Sequence, residues 1–289
     1  MITSTVQFRR LDSADFESLK QMDTGIENDY VVRIFPYSVD TEATFGAFID
    51  NQLVCIAAYT IFAGHYAVLG RLRTDRRFRG RGIATKLLTE LCRELDGKSD
   101  ITWIGLATEL SNHAVQHIAG QLGMKRLSTF YSCTLNDQGQ KDLKLKDKGD
   151  PADWTAVTEI NEKRRLLKGV APENRPLGVF PYECYYTFPF EEALWTDEYL
   201  SESFFWKHGD QFVVLTEDEK GDSYLHMKYF SENGLVLPGL WAKVITEAER
   251  TGRILWVDLP YEKPLQKEIP SFSECVPWTS YGRGSFQTS

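Results

Sequence analysis

The stretch from Leu69 to Leu95, LGRLRTDRRFRGRGIATKLLTELCREL, constrains the fold of this chain more than any other. It reads as the apolar end of a strand, a basic loop punctuated by glycines, and a helix. Ile83, Leu87, Leu88, Leu91, Cys92 and Leu95 recur at helical spacing, which predicts one buried face. Arg79-Gly80-Arg81-Gly82-Ile83-Ala84 stands where the loop becomes that helix. Glycine lets a backbone approach a ligand closely, and the first turn of a helix carries N–H groups with no internal partner. An anion placed there meets aligned donors and the positive end of the helix dipole. The run lacks the Gly-Lys-Ser/Thr ending of the nucleotide-binding P-loop.

Six arginines between Arg71 and Arg81 also suit contact with nucleic acid. The charge of the chain opposes that reading, with 33 Lys+Arg against 41 Asp+Glu, a net −8 and a pI of about 5.3. Affinity for nucleic acid rests on neutralising phosphates, which an acidic chain with one short basic loop does poorly. A strand–turn–helix that binds nothing is the other alternative.

The elements around this stretch follow from pattern. Val6 to Arg10 reads as a strand. Asp12 can cap the helix after it, with Asp15 three residues on and Leu11 and Phe16 placed as a hydrophobic staple. Residues 26–43 lack clear periodicity. Strands are expected at 44–49 and 53–62, joined by Asp50-Asn51-Gln52, and at 66–73, 101–107 and 125–135. A helix over 112–122 ends at Gly123. Strand alternation puts Arg71 and Arg73 on one face.

Arg79-x-x-Gly82-x-Ala84, set between a strand and an amphipathic helix, resembles the pyrophosphate loop of the GNAT acetyltransferase superfamily, Gln/Arg-x-x-Gly-x-Gly/Ala. The element order resembles that family over nearly all of residues 5–136. The resemblance implies an α/β (α+β) fold, a mixed sheet flanked by helices. It implies acetyl-CoA as cosubstrate, a small amine as acceptor, and transfer in a ternary complex. By position, Leu72, Arg73 and Thr74 would offer backbone groups to the pantetheine and thioester. Arg79, Gly80, Arg81, Gly82, Ile83, Ala84 and Thr85 would cradle the phosphates, and Asn112 would contact the pantetheine arm. Many members place a tyrosine seven residues after that asparagine to protonate the leaving thiolate. Here the position is Ala119, a departure that favours the alternative of a non-catalytic acyl-CoA sensor or assembly protein. Candidate bases are Glu109, His113, Glu27 and His65, beside a relay through water. The family covers its acceptor site with the 26–43 region, so Glu27, Asp29, Tyr30 and Arg33 are the first places for substrate contacts. Arg71 and Arg73 suit a bidentate grip on a carboxylate, as of a free amino acid, or else salt bridges with nearby acids.

The length of 289 residues favours two domains. Residues 136–152, NDQGQKDLKLKDKGDPA, have the composition of a linker. The expected division is 1–136 for the acetyl-CoA-binding domain, 137–152 for the linker and 153–289 for a second α+β domain. In that half a helix is expected from 155 to 167 and another around 193–204, with a proline- and aromatic-rich loop from Pro172 to Phe190 between them. A hairpin around 217–222, a helix from Pro238 to Thr251 and a strand at 254–259 follow. The layout resembles tandem GNAT proteins such as mycothiol synthases, in which one lobe has lost the phosphate loop. The aromatic residues of 182–206 read either as lining of an acceptor cleft or as core.

Five widely spaced cysteines show neither metal-ligand spacing nor a disulfide framework. The sequence implies no metal. The N-terminal residues lack the apolar core of an export signal, and the apolar run 53–62 is too short to span a bilayer. A cytoplasmic location without membrane contact is the expectation, with oligomeric state left open.

Overall fold

In the computed structural model, residues 5–39, 43–231, 234–261 and 272–284 are described. The first part of the chain runs β1 (Gln7–Arg10), α1 (Phe16–Lys20), α2 (Tyr30–Ser38), β2 (Ala43–Ile49), β3 (Gln52–Phe62), β4 (Tyr66–Thr74), α3 (Ile83–Asp96), β5 (Trp103–Glu109), α4 (His113–Gln121) and β6 (Lys125–Leu135). There follow α5 (Asp137–Lys146), β7 (Thr155–Val157), α6 (Ile160–Lys168), β8 (Phe180–Glu183), β9 (Tyr186–Phe188), α7 (Asp197–Glu202) and β10 (Phe204–His208). The chain continues with β11 (Gln211–Glu219), β12 (Ser223–Tyr229), α8 (Leu240–Thr251), β13 (Ile254–Pro260) and β14 (Phe272–Gly284).

Two compact units result. The first takes residues 1–106, 113–125 and 281–289; the second takes 107–112 and 126–280. In the first, β1 to β5 lie side by side in chain order, antiparallel except for the parallel pair β4–β5. The β2–β3 hairpin closes on two residues, Asp50 and Asn51, at φ 50 and 63. That is the geometry a two-residue hairpin needs to match strand twist. The buried stripe of α3 packs with Val54, Ala57, Ala67, Leu69, Ile104 and Leu106. A second cluster joins Leu19 of α1 and Val31 and Phe35 of α2 to Phe48, Leu53 and Ile56. Both faces of the sheet are thus covered. Asp12 caps the helix start as expected, Asp15 completes a capping box with it, and Asp15 also accepts two hydrogen bonds from Arg9 at 2.6 and 2.7 Å.

The second unit orders its strands β6-β13-β12-β11-β10-β7, with β12–β13 parallel. Leu143 of α5 and Leu240, Val244 and Ile245 of α8 pack with Val213, Leu225 and Val257. The aromatic residues of 182–206 divide: Phe188 and Phe205 are fully buried core, as is Phe180, which stacks on Phe230 at 6.3 Å, whereas Tyr182, Tyr185, Tyr186, Phe190, Phe204 and Trp206 are half-buried.

Several expectations fail here. Residues 137–152 are no linker, because Asn136 caps α5 and Leu143 gives that helix a buried contact despite its polar composition. The 172–190 loop contains the β8–β9 hairpin, and the helix of 193–204 is cut to α7, with Phe204 starting a strand. Strand β14 has no counterpart in the sequence reading. It starts in the second unit, where Cys275 is bonded to Cys133 of β6, a disulfide the spacing of cysteines did not signal. Its last residues count with the first unit: Tyr281 joins that core, its hydroxyl donates to Gln116 Oε1 at 3.2 Å, and Arg283 pairs with Asp96 at 2.7 Å. Gly282 lies so close to the Trp103 ring that a Cβ would sit 2.5 Å from it. Among the described residues no helix is long and apolar enough to cross a membrane, and no group of acidic, cysteine or histidine side chains could hold a metal ion.

Candidate functional site

Strand β4 divides into two halves. From Tyr66 to Leu69 it is buried and pairs with β5, from Tyr66↔Trp103 to Leu69↔Leu106. Among the described residues the ladder has no further rung, so Gly70 to Thr74 runs on, half-buried, paired there with β3 alone. Within that half Arg71 and Leu72 together oppose Ala57, since Gly70 pairs with Ala58 and Arg73 with Ile56. This is a bulge, and Arg71 takes φ 53, a left-handed conformation rare outside glycine. The regular alternation expected for Arg71 and Arg73 is interrupted there. Leu72 packs against the core, and the Arg73 guanidinium is committed to Asp29, so Arg73 is not a fork for a ligand carboxylate.

The loop after β4 is held by its acids. Asp75 is fully buried and accepts from Arg77 Nε at 2.9 Å, from Arg77 N–H at 3.0 Å and from Asp23 N–H at 3.1 Å. The Arg77 side chain, helped by the two backbone bonds and opposed by burial, holds its carboxyl down to about 2. Arg76 pairs with Asp23 at 2.8 Å. Arg79 and Arg81 differ. Both are exposed, and among the described residues neither meets a carboxylate. Arg79 donates to Thr24 O at 2.7 Å and Arg81 to Arg77 O at 3.3 Å.

Gly80 and Gly82 take φ 74 and 71, and no atom lies within 4 Å of where a Cβ would stand on either. Gly82 is the N-cap of α3 and supplies no side-chain bond. The first helical bond is Lys86 N–H to Gly82 O at 3.1 Å, so the N–H groups of Ile83, Ala84 and Thr85 precede it. The result is an open helix start with two exposed cations in the loop before it.

The second unit carries a helix start of the same design with the opposite outcome. Pairing of β12 with β13 also stops after four rungs, Tyr224↔Ile254 to Met227↔Val257. The helix between them, α8, also has a left-handed glycine at its N-cap, Gly239 at φ 74. Here a carboxylate fills the place: Asp147 Oδ1 accepts from Gly239 N–H at 2.6 Å and Oδ2 from Ala242 N–H at 3.1 Å. A Cβ on Gly239 would stand 2.6 Å from the Asp150 carbonyl, so the approach is closed as well. Past the last rung, Lys228, Tyr229, Phe230 and Asp258 line a void of only about 10 Å³.

The remaining candidates are scattered. Tyr30 opens α2, 42% exposed, its ring 5.4 Å from the Arg73 guanidinium. Glu27 is exposed in the preceding loop. His65 is exposed in the β3–β4 turn, its Nδ1 2.8 Å from Asp100 O. Exposed Glu109 ends β5 and accepts from Ser111 Oγ at 3.2 Å, and Asn112 donates its N–H to Glu109 O at 3.0 Å. Those two residues count with the second unit, while His113, the exposed first residue of α4, counts with the first. Ala119 is fully buried in the first unit's core. Asp29, read in the sequence as a place for substrate contacts, is tied to Arg73, and Asp75 and Asp147 were missed. Asp75, two residues before Arg77 at a strand end, left a local trace as a cap, and so did Asp29, two residues before Val31.

Among solved structures, a GCN5-related N-acetyltransferase from Sphaerobacter thermophilus aligns with 96% of this chain and 95% of its own, at 13% identity and a TM-score of 0.55. A tandem GNAT protein from the clavulanic acid biosynthesis pathway aligns with 99% of this chain and all of its own, at 13% identity and a TM-score of 0.51. At such identity these likenesses show the fold, that of a GNAT acyltransferase. No curated protein matches the chain. Residues 6–124 match the Acetyltransferase (GNAT) family, so the chain carries a GNAT acetyltransferase domain there.

Proposed function

We propose that the chain transfers an acetyl group from acetyl-CoA to the amine of a small molecule, a free amino acid among the candidates. The observation that carries this reading is the contrast between the two helix starts. The start of α3 is open beside Arg79 and Arg81, whereas that of α8 is occupied by Asp147. A pyrophosphate at Gly80–Thr85 would meet free N–H groups, the helix dipole and two cations. The backbone of Leu72, Arg73 and Thr74, past the last rung with β5, would pair with the pantetheine and polarise the thioester carbonyl. The acceptor nitrogen then forms the C–N bond, the C–S bond breaks, CoA leaves as the thiolate, and the ammonium proton passes to a base. Glu109, His113 and Glu27 are the candidates for that base, with Asn112 toward the pantetheine and Arg71 and Tyr30 toward the acceptor. A cytoplasmic setting goes with this donor, and the Cys133–Cys275 pair is expected to be held reduced there.

A non-catalytic acyl-CoA sensor is the second reading, favoured by buried Ala119 where many relatives carry a phenol. Titration with acetyl-CoA tests what the two readings share. Gly82→Glu places a carboxylate where the phosphate belongs and should lower affinity at least about tenfold. Gly82→Ala pays only the strain of φ 71, so it separates charge from backbone cost. Normal acetyl-CoA binding by a folded Gly82→Glu variant would reject the site. Release of free CoA over an amine panel then distinguishes enzyme from sensor.

A further inference from the structure

A cleft of about 660 Å³ is lined wholly by residues of the second unit, and none of the roles above uses it. Its described lining includes three carboxylates, Asp137, Asp222 and Glu274, all exposed, and no lysine, arginine or histidine. Its walls are aromatic. Trp256 is buried as the floor, with its indole N–H given to Asp258 at 2.9 Å. Tyr224 stands edge-on to it at 5.1 Å and Tyr185 at 4.7 Å.

Tyr185 is held there at a cost. It forms the tip of the β8–β9 hairpin with φ 69, a conformation that side chains of its kind avoid. The hairpin is pinned by Asp218, which accepts from Cys184 N–H at 2.7 Å, and the ring also packs on Trp278 at 4.3 Å. Burial, and then neighbouring groups that include Glu274, push the Tyr185 phenol up, in keeping with a negative field in the cleft.

We infer that this cleft binds a linear alkyl diammonium ion. Ring faces attract ammonium groups electrostatically, and carboxylates accept their N–H bonds. A single ammonium would occupy little of 660 Å³ and leave two of the three carboxylates unmatched. An extended dication with an apolar middle suits acids set around aromatic walls. The inference stands apart from the acetyl-CoA site, because its residues all lie in the second unit.

The test is titration of the full chain at 0.15 M salt with 1,5-diaminopentane, 1-aminopentane and pentanedioate. The diamine should bind saturably with a dissociation constant below about 1 mM, the monoamine at least about tenfold more weakly, and the dianion not at all. Asp222→Asn with Glu274→Gln should weaken the diamine at least about tenfold, and Tyr224→Leu about two- to fivefold. Gly82→Glu should leave diamine binding unchanged, which keeps failure here distinct from failure of the donor site. Equal binding of monoamine and diamine, or a double carboxylate variant that binds normally, would overturn the proposal. So would indifference to Tyr224→Leu, which would reduce the cleft to unspecific attraction by an acidic surface.

Discussion

Asp29 grips Arg73 with both carboxylate oxygens, accepting from Nε at 2.6 Å and from Nη2 at 2.9 Å. The same carboxylate caps α2 through Val31 N–H at 3.0 Å. One side chain therefore fixes both the start of α2 and the bulged half of β4. Asp29→Asn keeps an oxygen for the cap but strands a largely buried cation, and should cost about 3 kcal/mol of stability in urea unfolding. If the segment from Glu27 to α2 covers the acceptor, KM for the amine should rise more than KM for acetyl-CoA. Equal rises would place the tie outside acceptor recognition.

Legibility in the sequence followed range. The order β1 to β6, the buried stripe of α3 and the Asp12 cap are local patterns, and each appears as read. Gly82 could be singled out because glycine at a helix start is itself a signal. The bulge could not, since an arginine at φ 53 contradicts its own preference and is imposed by the pairing around it. Asp147 lies 92 residues before Gly239, and nothing near either residue announces the bond. Polar composition hid α5, whose packing rests on few apolar groups while Leu145 is 84% exposed. In the second half, the aromatic residues of 182–206 were visible as a cluster, but only packing separates buried Phe188 and Phe205 from Tyr185, which lines a cleft.

The acid limb of the stability curve should carry the mark of Asp75. Its folded carboxyl titrates near 2 against an ordinary 3.8, so its contribution is complete above about pH 4 and is lost as pH falls toward 2. The size is about 2 kcal/mol. Asp75→Asn should therefore be less stable than the parent at pH 6 by about that amount, with the gap closing as pH drops below 4. A gap that stays constant with pH would mean that shape, not charge, is what Asp75 supplies.

Asp147 offers the converse experiment. Asp147→Ala removes the anion from the start of α8 and should cost about 1–2 kcal/mol. Sulfate added at tens of millimolar should restore part of the loss in the variant and do nothing comparable for the parent. No recovery with sulfate would mean that the closure around Gly239 persists without the carboxylate.

Lys228 is fully buried, donates to Thr216 Oγ1, and has its ammonium pushed down to about 8, chiefly by burial. Its folded value lies below the ordinary 10.5, so the folded state carries a penalty at neutral pH. Between about pH 8 and 10.5 the native lysine has lost its proton while the unfolded chain keeps it, and stability rises across that window. Lys228→Met should gain about 2–3 kcal/mol at pH 7 and almost nothing above pH 11. A variant less stable at pH 7 would show that the amine is worth more than its desolvation costs.

The last described strand bears on how the protein is made. Tyr281 and its neighbours pack beside Trp103 in the first unit, yet they are translated 156 residues after Lys125, the end of that unit's main body. At ordinary elongation rates this is a wait of about ten to thirty seconds. Throughout it the nascent first unit keeps the Trp103 side of its core unfinished on the ribosome. The loop at Gly82 emerges early, but the scaffold behind it is complete only when the C-terminal strand has left the exit tunnel.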